Sequence, residues 1–166
     1  MEKRKYSNGI THELVTRING IPEGKHIQWH LNGKKYRECN YIDGYLDGLY
    51  QVWYTSGQLL DERTYVNGLV DGVAKQWYEN GHIQSDCIYE KGFAVSQIYW
   101  YSCGQIWIQK TYLNRLRHGT HTERYANNIK KRESTFENGV LKTYTIWDEV
   151  GRQVIPGTEM NGKIYW

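Results

Sequence analysis

The chain has 166 residues, a formal net charge of +3 and 14% aromatic residues. With 7 Trp and 15 Tyr it is too rich in aromatics for a disordered chain. No stretch approaches the ~18 apolar residues of a membrane helix, and no apolar run follows the charges of Glu2, Lys3, Arg4 and Lys5 as a secretion signal would require; the expected location is cytoplasmic, or a virion for a viral source.

Along the chain, turn signals come at regular intervals. Asn-Gly stands at 8–9, 19–20, 32–33, 67–68, 80–81, 138–139 and 161–162, and Asp-Gly at 43–44, 47–48 and 71–72. One series of turn positions falls at 9, 33, 57, 81, 104, 128 and 151, and a second at 20, 44, 68, 92, 115, 139 and 162. The spacing within each series is 24 or 23 residues, and only Arg115 and Asn128 are not glycine. A fixed period of this size marks a linear repeat array. The segments between turns are short and rich in Tyr, Trp, Ile, Val and Thr, which favours strands. Asn-Gly between such segments is the strongest short hairpin signal, because a type I′ turn needs positive φ at both central residues. The expected fold is all-β: an elongated, single-layer antiparallel meander of about 13 strands, roughly 60 Å long at ~4.8 Å per strand. It forms one repeat domain over 1–166, with six to seven hairpin units.

If Asn80-Gly81 is a two-residue loop, Tyr78 lies opposite Ile83, with Tyr89 on the same face and Trp77 and Ile88 on the other. Columns of like residues then run through the array. Trp29, Trp53, Trp77, Trp100 and Trp147 form one, interrupted by Arg124. Tyr41, Tyr65, Tyr89, Tyr112 and Phe136 form a second. Thr16, Thr64, Thr111, Thr135 and Thr158 share a third with Asn40 and Ile88. A lone hairpin cannot bury its own apolar face, so these columns are expected to pack repeat on repeat.

The pattern Gly-x-x-Asp-Gly…Trp-Tyr-x-Asn-Gly-x-Leu/Ile…Tyr-x-Asn-Gly resembles the variant MORN repeat, the type found in YwqK-like bacterial antitoxin proteins and abundant in some large DNA viruses. The resemblance covers residues 5–162. It is strongest at 44–92 and weakest at 115–166, where Arg115, Asn128 and Arg124 replace Gly, Gly and Trp, and Glu159 replaces the last aromatic. It implies a scaffold or interaction module, with membrane-lipid binding proposed for such proteins generally. It brings no catalytic residue.

Little in the sequence suggests chemistry. The array leaves no room for a separate catalytic domain. His118 and His121 have helical ligand spacing, but on a strand positions i and i+3 face opposite ways. His26 and His30 share a face roughly 13 Å apart, too far for one zinc ion. Cys39 and Cys87 occupy one repeat position two units apart, roughly 19 Å on this geometry, beyond disulfide reach. Neither a metal, a cofactor nor an enzyme activity is expected. Glu38, Glu62, Asp86 and Glu133 are in repeat register and are expected to be a carboxylate row contacting neighbouring bases.

Charge is distributed unevenly. Residues 41–90 carry a net −6 and residues 110–132 a net +6, the latter from Lys110, Arg115, Arg117, Arg124, Lys130, Lys131 and Arg132 against Glu123. The expected function is a non-enzymatic structural or interaction protein presenting a rigid repeat sheet to protein partners, for example within a virion. One alternative is antitoxin-like neutralisation of a toxin; another is binding of anionic lipid or nucleic acid through 110–132. Candidate partner-binding residues are Arg115, Arg117, Arg124, Lys130, Lys131, Arg132, Tyr165 and Trp166. The last two follow Lys163 and Ile164 in a unit without a closing strand, which suggests end-to-end self-association.

Overall fold

The computed structural model describes residues 2–154 and the backbone of 159–160 and 163–164. Among these residues all regular structure is β, as the turn spacing predicts. The chain divides into two compact units, Met1–Phe93 and Ala94–Trp166.

The first unit is an antiparallel meander. It comprises β1 (Glu2–Lys5), β2 (Thr11–Ile18), β3 (Ile21–Trp29), β4 (Lys35–Ile42), β5 (Tyr45–Leu46), β6 (Gly48–Trp53), β7 (Leu59–Val66), β8 (Leu69–Trp77) and β9 (Ile83–Glu90). Neighbours pair in the order β1-β2-β3-β4-β6-β7-β8-β9, with β5 also on β4. The second unit holds β10 (Phe93–Trp100), which begins at the boundary residue, β11 (Ile106–Leu113), β12 (Leu116–Arg117), β13 (Gly119–Arg124), β14 (Lys130–Glu137), β15 (Val140–Trp147) and β16 (Gln153–Val154). These pair in the order β10-β11-β13-β14-β15-β16, with β12 also on β11. Separately, β17 (Glu159–Met160) pairs with β18 (Lys163–Ile164). Tyr165 and Trp166, and Thr158 of the threonine column, lie outside the described residues.

The two turn series are different turns. At 20, 44, 68, 92, 115 and 139 both central residues have positive φ, as in Asn19 (51°) with Gly20 (81°), and the flanking residues pair directly, Ile18 with Ile21. These are type I′ turns. At 9, 33, 57, 81, 104 and 128 only the last loop residue has positive φ. Gly81 N–H donates to the Tyr78 carbonyl and Tyr78 N–H to the His82 carbonyl. That is a three-residue loop, a type I turn closed by a left-handed residue in a bulge. The side chain of the residue before it helps to close the loop: Asn8, Asn32, Asn80 and Asn127 each accept the N–H two residues on.

This turn corrects the two-residue reading. Tyr78 stands opposite His82 rather than Ile83, and Trp77 pairs with Ile83 after a register shift. The extra loop residue displaces the pairing by one position, which moves a side chain to the other face. Trp77 and Ile83 therefore share a face.

A further irregularity bends the hairpins. Gly24 and Gly72 sit inside β3 and β8, and Gly48 and Gly119 open β6 and β13, all with positive φ; opposite Gly24 and Gly72 the register skips Thr16 and Thr64, between Val15 and Arg17 and between Arg63 and Tyr65. Extra residues on one strand bend it and increase its twist. Here they split the returning strand into β5 and β6, and into β12 and β13. Gly119 explains the need for glycine, because an added Cβ would lie 3.1 Å from the Thr111 hydroxyl. One face of each unit is buried: Val15, Cys39, Val52, Ala74, Ser85 and Cys87 in the first, His121, Ser134, Phe136 and Ile146 in the second. Cys39 and Cys87 are both buried free thiols, and Cys103 is an exposed one.

Candidate interaction surfaces

Repeats are tied together by side chains reaching one repeat forward. The hydroxyls of Tyr6 and Tyr54 donate to the carbonyls of Trp29 and Trp77 at 2.9 Å. Tyr101 and Tyr125 do the same to Arg124 and Trp147, at 2.9 and 3.0 Å. At the equivalent position His30 donates Nε2–H to the Trp53 carbonyl. Burial pushes the Tyr54 and Tyr101 phenols above their ordinary pKa, which keeps them protonated as donors. On the turn edge Gly44, Gly68 and Gly92 donate N–H to the carbonyls of Pro22, Leu46 and Val70. Beside them Glu23 and Asp47 accept the N–H of Asp43 and Asn67 at 2.9 and 3.1 Å. The Asp of Gly-x-x-Asp-Gly is thus a cap for the next repeat's turn.

The Trp column is half-buried on the more open face. Lys35 lies over the Trp53 ring and Lys130 over Trp147. The second column meets the buried histidines and tyrosines: Tyr41 and Tyr112 each stand 5.8 Å from an imidazole, His26 and His121, Tyr65 stands 5.6 Å from Tyr50, and Phe136 stands 4.7 Å from His121. Tyr89 is half-buried on the same face as Cys87 and Ala74. The register row Glu38, Asp86 and Glu133 engages Lys25 with Lys35, Lys75 and Lys130 respectively. Glu62 accepts from Gln51 at 2.7 Å.

On the buried face of the first unit the carboxylates are paired with nearby donors, whereas Arg37 is in no ion pair among the described residues and its Nε is buried without a partner. Glu13 accepts from His26 Nε2 at 2.8 Å and Gln28 at 3.1 Å, with Arg4 at 3.4 Å. Burial alone would raise the Glu13 pKa, but these donors and the Arg4 charge hold it below the ordinary carboxylate value. Burial lowers the pKa of His26, against the pull of Glu13. His26 Nδ1 is buried without a partner, which suits a neutral ring and leaves no acceptor for a second proton. Two repeats on, Asp61 takes a two-pronged contact from Arg63 and a third bond from Gln76, and Ser85 donates to Gln76. Arg63 and Asp61 share a face because they are two residues apart on a strand.

The basic zone does not form one stripe. Lys130 and Lys131 are taken by Glu133 and Glu123, and Arg124 donates to the Asn128 carbonyl. Arg115 holds a left-handed turn position with φ 68°. Arg117 stacks on Phe136, and Arg132 bonds Ser134 and stacks on Tyr144. His121 is also occupied, its Nε2–H donating to the Thr111 carbonyl, whereas His118 Nδ1 is buried without a partner. Among the described residues no group of three or more His, Cys, Asp or Glu could hold a metal ion, and no helix is long and apolar enough to cross a membrane.

One feature escaped the sequence reading. The residues flanking the type I′ turns at Gly20, Gly44 and Gly68, namely Ile18, Ile21, Ile42, Tyr45, Val66 and Leu69, are 45–63% exposed. Ile21, Tyr45 and Leu69 each lean on the next turn's glycine, Gly44, Gly68 and Gly92. The result is an apolar ridge stacked repeat upon repeat. Its signal was an apolar residue on both sides of an Asn-Gly or Asp-Gly.

These features define a hairpin-repeat array in which the turns and their neighbours carry the contacts. Residues 22–43, 46–67 and 70–91 match the family model of the MORN repeat variant, and these three consecutive segments are variant MORN repeats. Such repeats are commonly interaction or structural modules. No curated protein matches the chain.

Proposed function

We propose that this is a non-enzymatic interaction protein that docks a protein partner on the apolar ridge of its first unit. The ridge is the observation that carries the reading. Soluble proteins rarely leave a contiguous apolar row in water unless something covers it, and here six apolar side chains at successive turns stay half-exposed. The turn-to-turn hydrogen bonds hold the row in place, so little ordering entropy is lost when a partner binds. The acids beside the ridge, Asp43, Asp47 and Asp71, favour a partner with a basic rim. A component of a larger assembly such as a virion and an antidote bound to a toxin both require such a surface. The identity of the partner tells them apart.

The test is crosslinking mass spectrometry on material from the native source, comparing the natural chain with I42E and L69E. Crosslinks to one protein, concentrated near 18–69 and lost in both variants, support the reading. Partner crosslinks that persist unchanged in both variants refute it.

A further inference from the structure

The buried face of the second unit differs in charge from that of the first at matching repeat positions. Glu13, Arg37, Asp61 and Ser85 in the first unit correspond to Ile108 and Arg132 in the second; Val15, Cys39, Arg63 and Cys87 correspond to Lys110 and Ser134. The acids that neutralise the face in the first unit have no counterpart in this slot of the second. A pocket of about 160 Å³ opens there, lined by Ile108, Lys110, Arg117, Glu123, Arg132 and Phe136 among others. Glu123 is bound by Lys131 at 2.8 Å. Arg117 has the Phe136 ring beneath it, and Arg132 is held by the Ser134 hydroxyl and the Tyr144 ring. None of Lys110, Arg117 and Arg132 has an ion-pair partner among the described residues. The two guanidiniums are thus supported by neighbouring side chains, yet not neutralised.

We propose that this pocket is a binding site for a small phosphate monoester with an apolar stem. The charge count selects the ligand. Three uncompensated cations suit a group carrying about −1.5 to −2 at neutral pH, as a phosphate monoester does, better than a carboxylate with one charge. Two guanidiniums suit it further, since their planar forks make paired hydrogen bonds to phosphate oxygens. Phe136 and Ile108 form the apolar wall against which a stem packs. The pocket is smaller than the roughly 300–1,000 Å³ of sites for drug-sized ligands, so it holds the phosphate and its immediate stem. The site rests on residues 108–136 alone, and its failure would leave the ridge reading standing.

The experiment is calorimetric titration of the full chain with phenyl phosphate, and with benzoate as a monoanion carrying the same ring. Phenyl phosphate should bind one site, several-fold or more tighter than benzoate, and weaken as salt rises. K110Q and R132Q should each weaken it by about tenfold or more, while K75Q, which removes the cation paired with Asp86 elsewhere, should not. The Lys110 side chain makes no ion pair, so K110Q reads binding even if R132Q disturbs the fold. Vesicles of phosphatidylcholine with phosphatidylinositol 4-phosphate, against vesicles with phosphatidylserine, separate the sources. Capture of only the former, lost in K110Q, supports the site and names a headgroup as the ligand. Failure to bind phenyl phosphate, equal binding of benzoate, or full binding by K110Q would overturn the proposal.

Discussion

Tyr54→Phe removes a single oxygen and tests what couples one repeat to the next. The hydroxyl donates to the Trp77 carbonyl at 2.9 Å across 23 residues, in a partly buried position. Both partners are neutral, so the net contribution is about 0.5–1.5 kcal/mol. Phenylalanine fills the same space without the donor, so no cavity term adds to it. Urea unfolding followed by tryptophan fluorescence should show a lower midpoint at unchanged slope, corresponding to about 1 kcal/mol. Tyr45→Phe is the control, because that side chain is 63% exposed and should change stability by less than about 0.3 kcal/mol. Tyr6 occupies the same slot two repeats away, roughly four strand spacings or 19 Å. The double substitution of Tyr6 and Tyr54 should therefore be additive within about 0.5 kcal/mol. If Tyr54→Phe behaves like Tyr45→Phe, the hydroxyl ladder does not couple the repeats and the account of their cohesion is wrong.

Gly48→Ala should cost about 1–2 kcal/mol from its left-handed backbone alone, since φ is 88° and an added Cβ meets nothing within 4 Å; Gly44→Ala should cost more in the same urea assay, because its Cβ would lie 2.8 Å from Ile21. Arg115→Gly should stabilise by about 1 kcal/mol, since a bulky residue there holds φ 68°, and an unchanged or lowered melting temperature would count against the turn assignment. Stability should fall as pH drops from 7.5 to 5. Burial places the folded pKa values of His26 and His121 below 6.5, so the unfolded chain takes up protons first and stability is lost as pH falls below 6.5. Glu13, also depressed, adds to the loss below about 4.5. His26→Gln should flatten the upper part of that profile, and a natural chain whose midpoint rises on acidification would contradict the neutral His26.

The hairpins were legible because glycine marks positive φ, and a chain with twelve of fourteen turn sites occupied by glycine has few other ways to fold. The two turn types were not. Asn19-Gly20 and Asn80-Gly81 are identical dipeptides, yet only the first has both residues left-handed. Their difference lies in whether the flanking residues pair directly or across one more loop residue, and that is set by the strands rather than by the dipeptide. The error in face assignment for Ile83, read with Tyr78 and Tyr89 but paired with Trp77, followed from it. Gly48 and Gly72 were read as turn glycines when they bend strands, because local spacing does not distinguish a turn from a bulge. The basic zone was visible as charge, but its pairing was not. Lys131 reaches Glu123 across the strand pair, eight residues away in sequence, and only register brings them together.

The repeat positions separate what builds the array from what distinguishes its parts. Turn glycines, the capping carboxylates at Glu23 and Asp47 and the donors at Tyr6, His30, Tyr54, Tyr101 and Tyr125 do the same work wherever they recur. His30 shows the tolerance of such a position: any side chain that places an N–H or O–H at the next carbonyl serves. The inward slots are different. Glu13, Arg37, Asp61, Ser85, Ile108 and Arg132 share one position and have no chemistry in common. If cohesion alone set that slot, a small apolar residue would suffice, because an ion taken from water is costly unless fully paired. In the first unit the charges at Glu13 and Asp61 are matched by Arg4 and Arg63, with the neutral His26 ring donating to Glu13. In the second, the exposed Arg117 and Arg132 and the half-buried Lys110 line one pocket, and none of the three has an ion-pair partner among the described residues. Repeat cohesion gives these three cations no shared task, and an anionic ligand in the pocket would.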